Sequence, residues 1–196
     1  MSLRRFFMSC FDVLRERSLL FALMNFIFFG SVIAGSFLAQ QVFLTPMSLP
    51  FDGGNLEISN VSAGFVFEFF GWNLVVNAFL FMTVPGVFFF ALPFVVFILR
   101  GLIWGFTLTF LSTDKLLAIL PTVFLEGEGY VLAAMAGVIL GLSWFWPRLI
   151  YPSRELSRRE ALSAAWGEAK ILLAIVVLLL LIAAIVKTVT LALLFG

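Results

Sequence analysis

Residues 69–111 read FFGWNLVVNAFLFMTVPGVFFFALPFVVFILRGLIWGFTLTFL and include one charged side chain, Arg100. An α-helix rises about 1.5 Å per residue and the hydrocarbon core of a bilayer is about 30 Å thick, so about 20 residues cross it. The run is too long for one crossing and suits two. Pro85-Gly86 is its strongest turn signal and predicts a tight hairpin. Arg100 then lies near the middle of the second crossing, where a charge is costly and marks a paired or functional site.

The composition is that of a polytopic membrane protein. Of the 196 residues, 63% are hydrophobic, 12% are charged and 26 are Phe. A soluble domain of this size has too little interior to bury so much apolar surface. The single cysteine, Cys10, excludes an internal disulfide. No basic block or nucleic-acid motif is present, so the expected partner is the lipid bilayer and not nucleic acid.

Hydropathy predicts an all-α fold in a single transmembrane domain over residues 1–196. The five predicted spans cover about residues 19–43, 63–82, 87–111, 130–146 and 170–194. Residues 3–17 place apolar side chains at helical spacing opposite arginines, which predicts an amphipathic helix on the membrane surface. Residues 116–125, just before the fourth span, are apolar but short and contain Pro121. They predict a re-entrant or interfacial segment.

The distribution of Lys and Arg predicts the orientation. The first 17 residues contain four Arg and residues 148–170 contain four Arg and one Lys, whereas residues 40–63 contain neither. Cytoplasmic loops carry the excess of Lys and Arg. We therefore expect a plasma (inner) cell membrane protein with its N-terminus in the cytoplasm and its C-terminus outside. This requires an even number of spans between residues 17 and 148, which independently supports the hairpin.

Charged side chains inside the predicted spans, or where the segment before the fourth span meets it, form the candidate site, with two amides on the second span. They are Glu68, Arg100, Glu126, Glu128 and Lys187, together with Asn73 and Asn77. Counted from the span ends, the charges lie between the membrane centre and its outer edge, so they can meet and nearly neutralise one another. The cluster is either a polar pathway opening outward or a set of ion pairs that fixes helix order. We expect Arg100 to pair with Glu126 or Glu128.

Small residues at four-residue spacing predict close helix packing, with Gly101 and Gly105 on the third span and Gly137 and Gly141 on the fourth. Because the chain has little soluble mass for binding partners, we expect at least a homodimer, formed through one of these faces.

Enzyme motifs are absent from the sequence. Without His, the chain cannot build a Ser–His dyad or a His-ligated metal centre, and it has no phosphate-binding loop. We expect no enzyme activity, no cofactor and no metal. Asn60-Val61-Ser62, on the predicted outer loop, is either an N-glycosylation acceptor or an unused tripeptide.

Three short motifs follow one another in the second half of the chain: LPTVFLE at residues 120–126, Gly137-x-x-x-Gly141, and IAAIVKT at residues 182–188. In this order they resemble the integral-membrane family of stage II sporulation protein M, over roughly residues 15–194. That family has a central hairpin, a Pro-His-Gly-x-x-Glu motif, a Gly-x-x-x-Gly helix and a last span ending in Ala-Ala-x-x-Glu. Asn73 also precedes the hairpin, as an Asn tends to do in the family.

Three positions depart from the family pattern. Thr122 stands where the family has His, Lys187 where it has Glu, and Arg100 where it often has a neutral polar residue. A lost carboxylate together with a gained arginine suggests that the buried pairing has been rearranged, and any role that depends on the His is in doubt.

The resemblance implies a membrane anchor, since in spore formers the family member works with cell-wall-degrading partners during engulfment. We therefore expect a non-enzymatic scaffold subunit that assembles with itself or with partner membrane proteins. One alternative is a transporter or channel subunit whose path follows Glu68, Arg100, Glu126 and Lys187. Another is an accessory subunit of a larger membrane complex.

Overall fold

A computed structural model describes residues 3–42 and 63–195. The predicted outer loop, with the tripeptide at Asn60, lies outside the described residues. A π-helical segment (Trp72–Thr83) joins α3 to α4 without a break, and no strand occurs in the described ranges, so the all-α prediction is confirmed. The helices are α1 (Leu3–Glu16), α2 (Ser18–Val42), α3 (Ala63–Gly71), α4 (Val84–Phe88), α5 (Leu92–Leu108), α6 (Thr113–Phe145), α7 (Pro147–Ile150) and α8 (Arg158–Phe195).

Four helical stretches are long and apolar enough to cross a membrane. They are α2, the continuous helix Gly64–Phe88, α6 and α8. Helix α5 is also apolar but has 17 residues, a length of about 25 Å. The chain is therefore a multi-pass helical membrane protein, as predicted.

Helix α6 is the centre of the bundle, because every side chain from residue 130 to residue 143 is buried. It runs parallel to the π-helical segment, since hydrogen bonds join Asn73 to Glu126 and Thr83 to Ala133. Helix α8 is antiparallel to α6, because Glu126 contacts Lys187 whereas the later residue Gly129 contacts the earlier residue Leu180. A polar side chain in this buried stretch of α6 therefore faces other helices of the same chain.

The four glycines predicted to pack helices are all buried within the chain. Two of them face the backbone of α2, where a Cβ added to Gly101 would lie 2.8 Å from the Phe28 carbonyl oxygen. The other two, on α6, face the end of the π-helical segment and α4. The contact is close enough that a Cβ added to Gly86 of α4 would lie 2.8 Å from the Gly137 carbonyl carbon. These glycines are Gly101, Gly105, Gly137 and Gly141. The faces expected to carry a homodimer are thus already occupied by helices of the same chain.

Three chain reversals lie at one end of the bundle. Arg17, between α1 and α2, donates a hydrogen bond to the carbonyl oxygen of Ile150. The ring of Phe90, in the turn between α4 and α5, lies 5.1 Å from the ring of Trp146. The α1–α2 junction, the turn at residues 89–91 and the segment after α6 therefore share one level of the molecule.

The predicted hairpin at Pro85-Gly86 lies instead at residues 89–91, because both residues are inside α4. Pro85 has no N–H and conflicts with the carbonyl four residues before it, so it fits where the backbone bonding changes from π to α. Gly86 permits the close contact with α6. The next helix starts with Pro93 in its first turn, which is a favourable position for proline.

The separate segment predicted at residues 116–125 is also corrected, since these residues belong to the first half of the continuous helix α6. The helix continues through Pro121, whose side chain is exposed and so meets no neighbouring helix. With 33 residues, α6 is about 50 Å long and exceeds the thickness of the hydrocarbon core. Helix α8 contains the fifth predicted span and begins well before it, and Ser157 and Glu160 form a capping box at its start.

Candidate functional site

Six polar side chains from four elements meet inside the bundle. Two amides come from the π-helical segment, a guanidinium from α5, a carboxylate and a phenol from α6, and an ammonium from α8. We call them the polar network: Asn73, Asn77, Arg100, Glu126, Tyr130 and Lys187.

Arg100 forms one end of the polar network. Its Nη1 donates to Asn77 Oδ1 at 2.8 Å and its Nη2 donates to the Tyr130 hydroxyl at 3.3 Å. The guanidinium carbon also lies 4.6 Å from the ring centre of Tyr130 and 5.4 Å from that of Trp104. The positive charge is thus held by two dipoles and two aromatic faces, and no carboxylate of the described residues pairs with it.

Two asparagines form the middle of the polar network. Asn73 Oδ1 accepts hydrogen bonds from Asn77 Nδ2 and from the Tyr130 hydroxyl, each at 2.8 Å. Asn73 Nδ2 then donates to Glu126 Oε1 at 2.9 Å. Because each amide both accepts and donates, the pair connects the guanidinium to the carboxylate across the bundle.

The ion pair of Glu126 with Lys187 forms the other end. Lys187 Nζ lies 3.3 Å from Glu126 Oε1, the oxygen that also accepts from Asn73. The carboxylate side chain is 6% exposed and the ammonium side chain 25% exposed. The ammonium also lies 4.7 Å from the ring centre of Phe69. Lys187, which stands where the family resemblance places Glu, is therefore the residue that neutralises Glu126.

The local helix geometry aligns these groups. Glu126 and Tyr130 are four residues apart, so they lie on one face of α6. The π-helical segment bonds residue i to residue i+5, as the Val84 N–H bonded to the Phe79 carbonyl shows. The Thr83 hydroxyl lies within hydrogen-bond distance of a carbonyl on its own helix and of another on α6, at 3.1 and 3.0 Å. π-Helical turns occur frequently at functional sites.

The structure brings together five of the seven predicted polar residues. Glu68 is exposed and bonds to no member of the polar network. Glu128 is half-buried and faces Asn25 of α2 instead. The expected partner of Arg100 is also corrected, because its guanidinium bonds to Asn77 and Tyr130. It reaches Glu126 indirectly, since Asn77 and Tyr130 both bond to Asn73, which donates to Glu126.

Sequence reasoning missed Tyr130, which is fully buried and bonds to three members of the polar network. A signal was present, since a tyrosine inside an apolar span needs a partner for its hydroxyl and this one lies four residues after Glu126. Trp104, four residues after Arg100 on the same helix, gave a comparable signal.

A second charged contact, which we call the Arg17 clamp, fastens the N-terminal helix to the bundle. Arg17 Nε and Nη2 donate to the two carboxylate oxygens of Glu168, each at 3.0 Å. The Tyr151 hydroxyl donates to Glu168 Oε1 at 2.9 Å, and the Arg17 guanidinium carbon lies 4.8 Å from the Tyr151 ring centre. Burial and the neighbouring Glu168 charge raise the pKa of the Tyr151 phenol, so it stays a donor at neutral pH.

The polar network can hold the helices in a fixed order. Two buried polar groups, one in the network and one on α6, remain available to a further partner. Arg100 Nε and the Thr122 hydroxyl are buried and make no hydrogen bond within the described ranges. The bonded network contains two cations and one carboxylate, so it has a net positive charge. Among the described residues, no group of three or more metal-ligating side chains comes together.

Comparison with known proteins identifies one family. The family model described as Stage II sporulation protein M matches residues 19–190. No curated protein matches the chain, and no solved structure matches it. The matched range contains the whole polar network and the packing glycines, whereas Arg17 lies just before it.

Proposed function

Because the chain belongs to the stage II sporulation protein M family, we propose that it is a non-enzymatic membrane scaffold subunit, which assembles with itself or with partner membrane proteins. The observation that carries this proposal is the continuous bonding of the polar network from Arg100 to Lys187. Buried polar networks whose members are bonded to one another make a core rigid and specify one arrangement of its helices. A rigid bundle of this kind suits a protein that positions partners.

We further propose that α5 is a fifth membrane span. It lies alongside α2 and runs parallel to it, since Gly101 faces Phe28 and Ser31 whereas Gly105 faces Val32. Five alternating spans leave the basic N-terminal segment and residues 146–157 at the same end, in agreement with the Arg17 clamp. By the distribution of Lys and Arg, this end faces the cytoplasm and the C-terminus lies outside.

The surface for partners is the apolar exterior of the bundle. With the glycine faces covered, the exposed large side chains of α2 and the π-helical segment are what the protein offers to another helix, as Phe37 and Trp72 illustrate. A homodimer or a complex with another membrane protein would use such a surface. Association there depends on close packing and polar contacts, because lipid is as apolar as the helices.

A transporter or channel subunit is the alternative, and two observations favour it. Lys187 is partly exposed, and Arg100 Nε and the Thr122 hydroxyl lack partners in the described structure. Water or an ion passing through the bundle would supply those partners. Glu68 would no longer belong to such a path because it is exposed outside the polar network.

Two measurements on the full chain distinguish these functions. A scaffold should retain a defined set of membrane proteins, or copies of itself, when it is purified from native membranes in mild detergent. In a Cys10→Ser background, the buried position in Thr122→Cys should resist a charged thiol reagent, whereas the exposed position in Ser112→Cys should react. Rapid modification of Thr122→Cys, combined with purification as a lone monomer, would favour a transport path and contradict the scaffold.

A further inference from the structure

An open groove of about 700 Å³ lies between the end of α6 and the start of α8. We call it the basic groove, because two arginines line it together with apolar side chains. Its principal lining residues are Trp146, Arg148, Leu149, Leu156, Ser157 and Arg158.

The two arginines of the basic groove are available for an external anion. Both Arg148 and Arg158 are exposed, and neither side chain forms an ion pair or hydrogen bond with the described residues. The surrounding segment from residue 146 to residue 160 has an excess of positive charge. Its basic side chains are Arg148, Arg154, Arg158 and Arg159, and its acidic ones are Glu155 and Glu160.

One carboxylate stands close to the basic groove. Glu160 Oε2 accepts hydrogen bonds from the Ser157 N–H at 2.9 Å and from the Ser157 hydroxyl at 2.7 Å, as part of the capping box. These hydrogen bonds lower the pKa of Glu160, so it is ionised at neutral pH. An anion in the groove is attracted by the two arginines and weakly repelled by Glu160.

The basic groove lies at the end of the bundle where the proposed five-span arrangement places the membrane surface. Trp146 contacts Phe90 in the turn between α4 and α5, which is where the chain reverses direction. Trp146 is 55% exposed and Leu149 is 66% exposed. Tryptophan is enriched at headgroup level, and an exposed leucine beside an arginine presents an apolar surface and a charge together. This combination matches a lipid, which has a charged headgroup and an apolar chain.

We propose that the basic groove binds an anionic phospholipid. Arg148 and Arg158 would hold the phosphate, since guanidinium groups bind phosphate oxygens through paired N–H donors. The apolar side chains of the groove would contact the upper part of an acyl chain. Basic pockets beside transmembrane helices bind anionic headgroups in this way. The inference does not depend on the scaffold function, since a transporter could carry the same lipid site.

The test uses the purified full chain, delipidated in a neutral detergent and titrated with phosphatidylglycerol while native mass spectrometry counts the bound lipids. Each of Arg148→Gln and Arg158→Gln should weaken binding about fivefold, and the double variant about 30-fold, since each basic residue near an anionic lipid contributes about 1 kcal/mol. Glu160→Gln should strengthen binding, because Gln keeps the capping box while removing the negative charge.

Arg154→Gln is the matched control. It removes the same charge from the same segment at a residue that does not line the basic groove. Wild-type affinity in Arg154→Gln, with weaker binding in the two groove variants, supports a defined site. The proposal fails if all three arginine variants lose binding equally, or if none does. It also fails if phosphatidylcholine binds as tightly, or if inorganic phosphate displaces phosphatidylglycerol as effectively as the lipid itself does.

Discussion

At the scale of single residues, the Glu126–Lys187 pair determines how much the polar network contributes to stability. Lys187→Met should destabilise the folded protein by about 3–5 kcal/mol, because it leaves the carboxylate buried and unmatched. Adding Glu126→Gln should recover part of that loss. Unfolding of the two single variants and the double variant in detergent gives the coupling energy. Strictly additive losses would show that the two side chains do not interact.

Arg100 provides the comparison for this cycle. Two asparagines separate it from Glu126, so Arg100→Met and Glu126→Gln should couple more weakly than the pair above. Equal coupling energies in the two cycles would contradict the arrangement of the polar network.

The sequence predicted five of the six members of the polar network but not how they pair, and it wrongly included Glu68, which is exposed. Counting residues from the end of a span gives the depth of a side chain, and depth alone suggested that Arg100 could meet Glu126. Pairing also depends on how each helix is rotated about its own axis, and packing between helices sets that rotation. In the π-helical segment, Asn73 and Asn77 face α6. A hydrophobic pattern read at α-helical spacing does not predict how π-helical bonding rotates these side chains.

At the scale of helices, the contact between α2 and α5 depends on a residue without a side chain. Gly105→Ala should lower the melting temperature, because the new Cβ would collide with the backbone of Val32 and force the helices apart. Overpacking of this kind typically costs about 1–3 kcal/mol. Gly30→Ala on α2 is the control, since a Cβ there meets nothing within 4 Å. It should be neutral or stabilising, because Ala favours a helix more than Gly does. Equal losses in both variants would mean that the collision with α2 is not what destabilises Gly105→Ala.

The Arg17 clamp should hold α1 on the bundle. Arg17→Met removes a two-pronged hydrogen bond to a charged acceptor, of a kind that contributes about 1.5–3 kcal/mol. We expect the amides of α1 to exchange hydrogen faster while those of α6 are unchanged. Arg15→Met removes the same charge from the exposed side of α1 and should leave exchange as in the wild type. Unchanged α1 exchange in Arg17→Met would show that apolar contacts alone hold the helix.

The sequence identified most helices, and its two errors at this scale both involve proline. Pro85 was read as a turn and Pro121 as a break, yet each lies within helical structure. Both interpretations assumed that a lost N–H must end a helix. Pro85 instead adjoins a π-helical segment that already changes the bonding pattern, and Pro121 presents its ring away from the bundle. Local sequence does not reveal either circumstance.

At the scale of the whole molecule, the five-span arrangement predicts on which side of the membrane each connection lies. In a Cys10→Ser background, Ser153→Cys should react with an impermeant thiol reagent from the side that carries the N-terminus. Ser112→Cys should react only from the opposite side. Both positions are exposed. Labelling of both from one side would mean that α6 does not cross, and exchanged sides would mean that α5 does not. Either result would contradict the proposed arrangement.

The order in which the chain is synthesised determines when Arg100 can meet its partners. Its partner Asn77 is made before it, whereas Tyr130 is made 30 residues after it. An arginine at the centre of a helix costs about 2.5–3.5 kcal/mol during insertion. In chains truncated after Leu111 and released from the ribosome, α5 should therefore be less protected from protease than in chains that continue past Phe145, and Arg100→Leu should remove this difference. Equal protection at both lengths would mean that Asn77 alone suffices. On the proposed five-span arrangement, we therefore expect α5 to be held securely in the bilayer only after a later part of the chain has been translated.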